Sequence, residues 1–238
     1  MKGWLVIAIV LAASGCATSE PTGAVDTVPS AAPDAVAFTE ATLIIETNAT
    51  DGDAGLQLFL DHDAWKSIRV YLPDGRKILD VSTPAELEDY GLTELFSESS
   101  EPPFDEFPFS EFRRKFPAGD YTFVGETIDG EQIRSTVPLS HDVPDGPEIT
   151  SPQEEATVAP GELVVAWEPV TGQIARYEVV VEHEAEPVRT FKADLPPDAT
   201  RLDVPAGFTS IKGTYKTEVV AKADNGNQTL TEVEFEVA

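Results

Sequence analysis

Cysteine is nearly absent from this 238-residue chain, where Cys16 is the only one. No disulfide can close within one molecule, so the fold is held by burial, which suffices for domains of about a hundred residues. Histidine is almost as scarce, with His62, His141 and His183 far apart in sequence. Three scattered histidines and no spare thiolate leave no zinc-type ligand set. In Asp61-His62-Asp63 neighbouring side chains point apart, so the triplet cannot chelate by itself. Basic residues number 16 against 43 acidic, a formal net charge of −27. Nucleic acid is therefore excluded as a partner, because it demands a basic footprint. Charge-driven adhesion to an anionic lipid surface is excluded in the same way. Gly-x-Ser-x-Gly, His-Glu-x-x-His, the phosphate-binding glycine loop and the dinucleotide fingerprint are all missing, so no enzyme is expected. With 43 acids, a pair at glycosidase spacing arises by chance and carries no weight. Long hydrophobic runs are missing too. Trp4–Ala13 has ten residues, too few to span a bilayer as a helix.

What is present starts with that run. It comes after Lys2 and leads through small residues into "ASGC" at Ala13–Cys16, the layout of a secretory signal. The motif resembles the lipobox of bacterial lipoproteins. The resemblance implies cleavage before Cys16 and acylation of its thiol and new amino group, and several acyl chains give stable anchoring. Ala17 after the cysteine resembles the outer-membrane default of Gram-negative lipoproteins. Residues 1–15 are then a signal peptide. Residues 16–39, rich in Ala, Pro, Ser and Thr, are a disordered tether that holds the first domain about 25 Å from the lipid.

From Ala41 the texture is that of an all-β protein. "ATLIIET", "GLQLFL", "SIRVYL" and "RKILDV" read as short strands, with Asp74-Gly75 as a hairpin turn. "DYTFVGET" and "EQIRSTVPL" flank a second such turn at Asp129-Gly130. Between the hairpins, Thr83–Pro117 reads as a non-β crossover. Thr83-Pro84-Ala85-Glu86 predicts a helix N-capped by Thr83 with Pro84 at its first position, and "SEFRRKF" a further helical turn. Residues 40–140 are expected to form an Ig-like β-sandwich with a short helical insert, and "FPAGDYTF" resembles the late turn-and-strand of Ig-like extracellular domains. Pro144, Pro147 and Pro152 mark a boundary, "HDVPDGPEITSP", before a second domain over 141–238.

That second domain resembles a fibronectin type III module. "PEITSP", "ELVVAWEPV", "IARYEVVVEHE", "VRTFKAD", "TRLDVP", "GTYKTEVVAKADNGNQT" and "LTEVEFEV" supply its strands A, B, C, C′, E, F and G. The resemblance implies a two-sheet sandwich with Trp167 and Tyr177 in the core and Tyr215 at the tyrosine corner.

Two stretches are candidate sites. "ETNATDGDAGLQLFLDHD", Glu46–Asp63, sets Asp51 and Asp53 at i and i+2 on a turn, with Glu46, Asn48 and Asp61 as further oxygen donors. This is how calcium loops present ligands, although no EF-hand closes here. Alternatively Asn48, Asp51 and Asp53 cap the backbone of a solvated turn. "SESSEPPFDEFPFSEFRRKF", Ser97–Phe116, interleaves Phe104, Phe107, Phe109, Phe112 and Phe116 with acids and prolines. Either its rings plug the open side of the first sandwich, or they form a partner-binding patch inside an acidic rim. The expected function is an envelope-anchored, non-catalytic protein-binding or scaffolding lipoprotein. A calcium-dependent structural or adhesion module, and an accessory subunit of a glycan-active enzyme, are the alternatives.

Overall fold

The computed structural model describes residues 27–238, and the described chain is an all-β double sandwich. The N-terminal half runs β1 (Glu40–Asn48), β2 (Asp53–Tyr71), β3 (Lys77–Ser82), α1 (Glu86–Tyr90), β4 (Leu92–Glu98), α2 (Phe109–Lys115), β5 (Gly119–Thr127) and β6 (Gln132–Leu139). The C-terminal half continues with β7 (Glu148–Ser151), β8 (Thr157–Val158), β9 (Val164–Glu168), β10 (Ile174–His183), β11 (Arg189–Leu195), β12 (Arg201–Asp203), β13 (Gly213–Ala223) and β14 (Gln228–Val237). Each half buries its own hydrophobic cluster.

The two segments read from sequence as separate strands, "GLQLFL" and "SIRVYL", are one 19-residue strand, β2. Its first part pairs with β1 and β4, and its second part with β3 and β5. Trp65, fully buried at the changeover, pairs with Leu92 on one edge and Thr127 on the other. The register slips on both sides of this point, so the strand turns a corner and passes from one layer of the sandwich to the other. Leu58 and Leu60 before the corner, and Ile68 and Val70 after it, alternate into the core.

Three expectations are corrected here. Thr83–Pro117 is not free of β structure, because it contains β4, paired to β2. The apolar residues Leu92 and Leu95 lie three apart across the register slip, and that spacing hides the strand's period of two. Thr83 is not a helix cap. Its hydroxyl donates to the Lys66 carbonyl at 3.2 Å, and α1 begins at Glu86. Finally, the stretch assigned to the tether includes residues of the first sandwich. Val36 pairs with Ile133 of β6, Phe38 is buried, and Arg134 Nη1 donates to the Pro29 carbonyl at 3.0 Å.

In the C-terminal half, β12-β9-β7 faces β11-β10-β13-β14. This is the strand order E-B-A against C′-C-F-G that the fibronectin type III resemblance implies. Trp167 and Tyr177 pack at 5.3 Å in the core, and Tyr215 Oη donates to the Ile211 carbonyl at 2.9 Å. The N-terminal half repeats the device. Buried Tyr121, early in β5, donates from Oη to the Pro117 carbonyl at 3.0 Å, again four residues upstream. Both halves thus carry the tyrosine corner of Ig-like sandwiches.

The halves are joined edge to edge. β1 pairs in parallel with β14, so the strands β11-β10-β13-β14-β1-β2-β5-β6 form one path through an eleven-stranded sheet. Buried polar side chains reinforce the seam. Asn227 Oδ1 accepts from the Ile45 amide at 2.8 Å, and its Nδ2 donates to the Ser140 and Asp142 carbonyls. Thr229 Oγ1 lies 2.6 Å from both Thr47 Oγ1 and the Pro144 carbonyl. Gly146 fits where a methyl would meet Ala49 Cβ at about 2.5 Å. The proline-rich segment between the halves is therefore pinned to both, not a free hinge.

Candidate functional site

Gly55 is the third residue of β2, paired opposite Glu46 of β1, where a strand ordinarily wants a side chain to pack. A glycine in a strand interior often marks a place where another group approaches the backbone. Here that group is Glu101. A methyl on Gly55 would overlap the Glu101 carboxylate and would lie 2.8 Å from its Cγ.

The surrounding residues are set by register. Glu46 of β1 sits opposite Gly55, and Glu98 of β4 sits opposite Gln57. Alternation puts Glu46, Asp53, Gly55, Gln57 and Glu98 on the outer face of the sheet, with Leu43, Ile45, Ala54 and Leu58 on the inner face. After β4 the chain runs on along the same edge of β2 as a strap, with Pro103 bridged to Asp53. The Ser99 amide donates to the Leu56 carbonyl at 3.0 Å, Ser99 Oγ accepts from the Leu56 amide at 2.9 Å, and the Phe104 amide donates to the Gly52 carbonyl at 2.7 Å. Pinned at both ends, the strap lowers Glu101 onto Gly55 and covers Asp53.

Glu46, Glu98 and Glu101 each bring a carboxylate oxygen within 4.8 Å of the others. Gln57 Nε2 donates to Glu98 at 2.8 Å, and Gln228 of β14 donates to Glu46. Burial, then the charges of Glu46, Glu98 and Asp53, pushes the Glu101 carboxyl up to about 7. Burial also raises Glu46, with the Gln228 hydrogen bond opposing it, and raises Asp53, helped by Asp51. Asp53 is 9% exposed, and its Oδ1 has no hydrogen-bond partner. Elsewhere on the same sheet the chain balances its buried acid differently. Burial raises Glu178, but hydrogen bonds from Lys192 and Lys222, at 2.8 and 2.9 Å, outweigh it and hold that carboxyl below its ordinary value. The Glu101 cluster is a concentration of negative charge with amides, not ammonium groups, against it.

The oxygen set read from sequence does not assemble as one site. Asn48 Oδ1 accepts from the Thr50 and Asp51 amides, and its Nδ2 donates to Asp51. Asn48 and Asp51 thus close the turn, the capping arrangement. Asp61 lies eight residues along β2 from Asp53, about 26 Å away at strand rise, opposite Glu40 and Glu94. Of that set, Glu46 belongs to the cluster and Asp53 lies beside it on the same sheet face. The phenylalanines assigned to partner binding turn inward. Phe112 is buried, and Phe104, Phe107, Phe109 and Phe116 pack on the same core, with Phe112 and Phe116 rings 5.0 Å apart. Cys16, the lipidation residue, lies outside the described residues. His62, His141 and His183 lie in β2, the inter-sandwich segment and β10, and none joins the carboxylate cluster.

Glu98 and Glu101 were the residues sequence reasoning missed as a site. The one signal for them was the out-of-place Gly55 in an alternating strand. Their meeting with Glu46 depends on β4, which the sequence pattern does not announce.

No family model and no curated protein matches the chain. Among solved structures it aligns with the FN1–FN3 domains of chicken CNTN1 at 10% identity and a TM-score of 0.33, over 87% of this chain and 65% of that one. It aligns with a two fibronectin type III domain segment of chicken tenascin at 11% identity and a TM-score of 0.30, over 83% of this chain and 99% of that one. The fold assignment rests on the strand order and the tyrosine corners, not on these superpositions.

Proposed function

We propose that this protein is a non-catalytic binding or scaffolding lipoprotein of the cell envelope, anchored through Cys16 at the outer membrane. The observation that carries the reading is the parallel pairing of β1 with β14. It converts two sandwiches into one stiff platform, which suits display of a surface at a fixed distance from a membrane.

The surface we assign to binding is the edge strand β4 with the helix before it. β4 pairs only with β2 among the described strands, so its other edge carries unpaired amides and carbonyls. Phe96 on β4 is 61% exposed and Tyr90 at the end of α1 is 81% exposed. Glu86, Glu88, Asp89, Glu94 and Glu98 flank them. Such an edge matches an extended basic segment of an envelope protein, which would add as a strand and seat an apolar residue against Phe96. Charge complementarity would speed its encounter with a chain of net charge −27.

The test is photo-crosslinking in intact cells from a benzoylphenylalanine placed at position 96, with position 198 on the far sandwich as control. A discrete adduct from 96 alone, reduced when Cys16→Ser releases the protein from the membrane, supports the reading. Equal labelling from both positions, or none, contradicts it.

A further inference from the structure

We propose that Glu46, Glu98 and Glu101 form a calcium site, with Asp53 as a further oxygen donor. Calcium takes carboxylate and carbonyl oxygens at about 2.3–2.6 Å, so ligands on opposite sides of one ion lie about 4.6–5.2 Å apart. The three carboxylates already meet within 4.8 Å before any ion draws them in. The donor set is all oxygen, the class a hard divalent cation selects. Magnesium, bound at about 2.0–2.1 Å in a strict octahedron, fits a looser cluster on two strands and a strap less well.

Two features separate this cluster from ordinary surface acids. Gly55 leaves a socket that only the Glu101 carboxylate fills, and the strap is hydrogen-bonded to β2 on either side of it. Asp53 lies on the same sheet face two positions along, about 7 Å by strand rise. It is nine-tenths buried under the same strap, and its unpartnered Oδ1 belongs to a carboxylate whose charge acts on Glu101. The Asn48 backbone hydrogen-bonds this carboxylate but leaves Oδ1 bare, and a buried acid so placed is costly unless something neutralises it. A proton on Glu101 does so in part, and a divalent cation does so for the whole cluster. Gln57 and Gln228 add to the set, since each amide, once rotated, points its carbonyl oxygen at the carboxylates.

The inference stands apart from the partner reading, because the cluster needs no second protein. The test is thermal unfolding of the full mature lipoprotein in detergent micelles, at fixed ionic strength, with calcium chloride, magnesium chloride or EDTA. Calcium a hundredfold above Kd should raise the midpoint of unfolding by about 5–10 °C, with a much smaller rise in equal magnesium. Glu101→Gln and Glu98→Gln should each remove the calcium response. Both should fold, since each removes repulsion, with midpoints at or above that of the EDTA-treated parent. Asp51→Asn and Asp61→Asn should leave the response intact. No shift with calcium, an equal shift with magnesium, or a shift that survives in both glutamine variants would overturn the site.

Discussion

Thr47 and Thr229, 182 residues apart in sequence, bring their hydroxyl oxygens within 2.6 Å of each other in the interior of the molecule. They sit opposite each other in the parallel pairing of β1 with β14. Between sandwiches in series the usual contact is a short linker and a modest polar surface. Here a strand pairing replaces it, and buried hydrogen bonds from Asn227 and Thr229 tie in the connecting segment.

The seam has a thermodynamic consequence. Asn227→Ala removes the acceptor of the Ile45 amide and the donor to the Ser140 carbonyl, while the Asp142 carbonyl keeps its hydrogen bond from Asn225 Nδ2. Leaving such groups unpaired in a buried place should destabilise the chain by about 2–4 kcal/mol. Calorimetry should show one cooperative transition in the parent. The variant should show two, as the sandwiches melt separately.

Glu101 gives a pH dependence of defined sign. Its carboxyl stands at about 7 in the folded chain against an ordinary 4.5. Below pH 4.5 both states hold the proton, and the group does not affect stability. Between 4.5 and 7 the unfolded chain ionises while the folded one keeps its proton, so stability falls as pH rises, and above 7 the loss is complete. After allowance for solvent screening the loss is about 2 kcal/mol. In EDTA, Glu101→Gln should therefore flatten the slope between pH 4.5 and 7. It should raise the midpoint at pH 8 by about 4–8 °C. A residual slope from Glu46 and Asp53, both raised, should remain. An unchanged slope in the variant would show that Glu101 is not the titrating group.

The phenylalanine segment separates structure from recognition. Phe112→Ala should destabilise the N-terminal sandwich by about 3–5 kcal/mol, since its ring is buried against Phe109 and Phe116. Phe96→Ser, on an exposed ring, should change stability by about 0.5 kcal/mol or less while weakening partner crosslinking. Chemical denaturation of the two variants checks both.

The sequence disclosed what repeats locally and concealed what depends on pairing at a distance. Alternation in "GLQLFL" and the Asp-Gly turns placed the hairpins, and Trp167, Tyr177 and Tyr215 placed the second core. β4 escaped because a register slip sets Leu92 and Leu95 three apart, and the corner at Trp65 escaped because "DHDAWK" is too polar to read as mid-strand. Asp51 drew attention because acids on a turn resemble a calcium loop, yet the turn uses Asn48 and Asp51 for its own backbone. The cluster at Glu101 joins residues from three places in the chain, and only the strand order brings them together. The β1–β14 seam was invisible for the same reason. Nothing in "LIIET" or "NQTL" states that they will lie side by side.

The stiffness of the platform carries the functional reading, and a distance measurement tests it most directly. Spin labels on Asp129→Cys in the first sandwich and Asp198→Cys in the second, in a Cys16→Ser background, report the separation across the seam by pulsed electron resonance. A stiff seam gives a single narrow distance distribution that broadens in Asn227→Ala. A broad distribution in the parent, unaltered by Asn227→Ala, would mean two independently moving sandwiches and would contradict it.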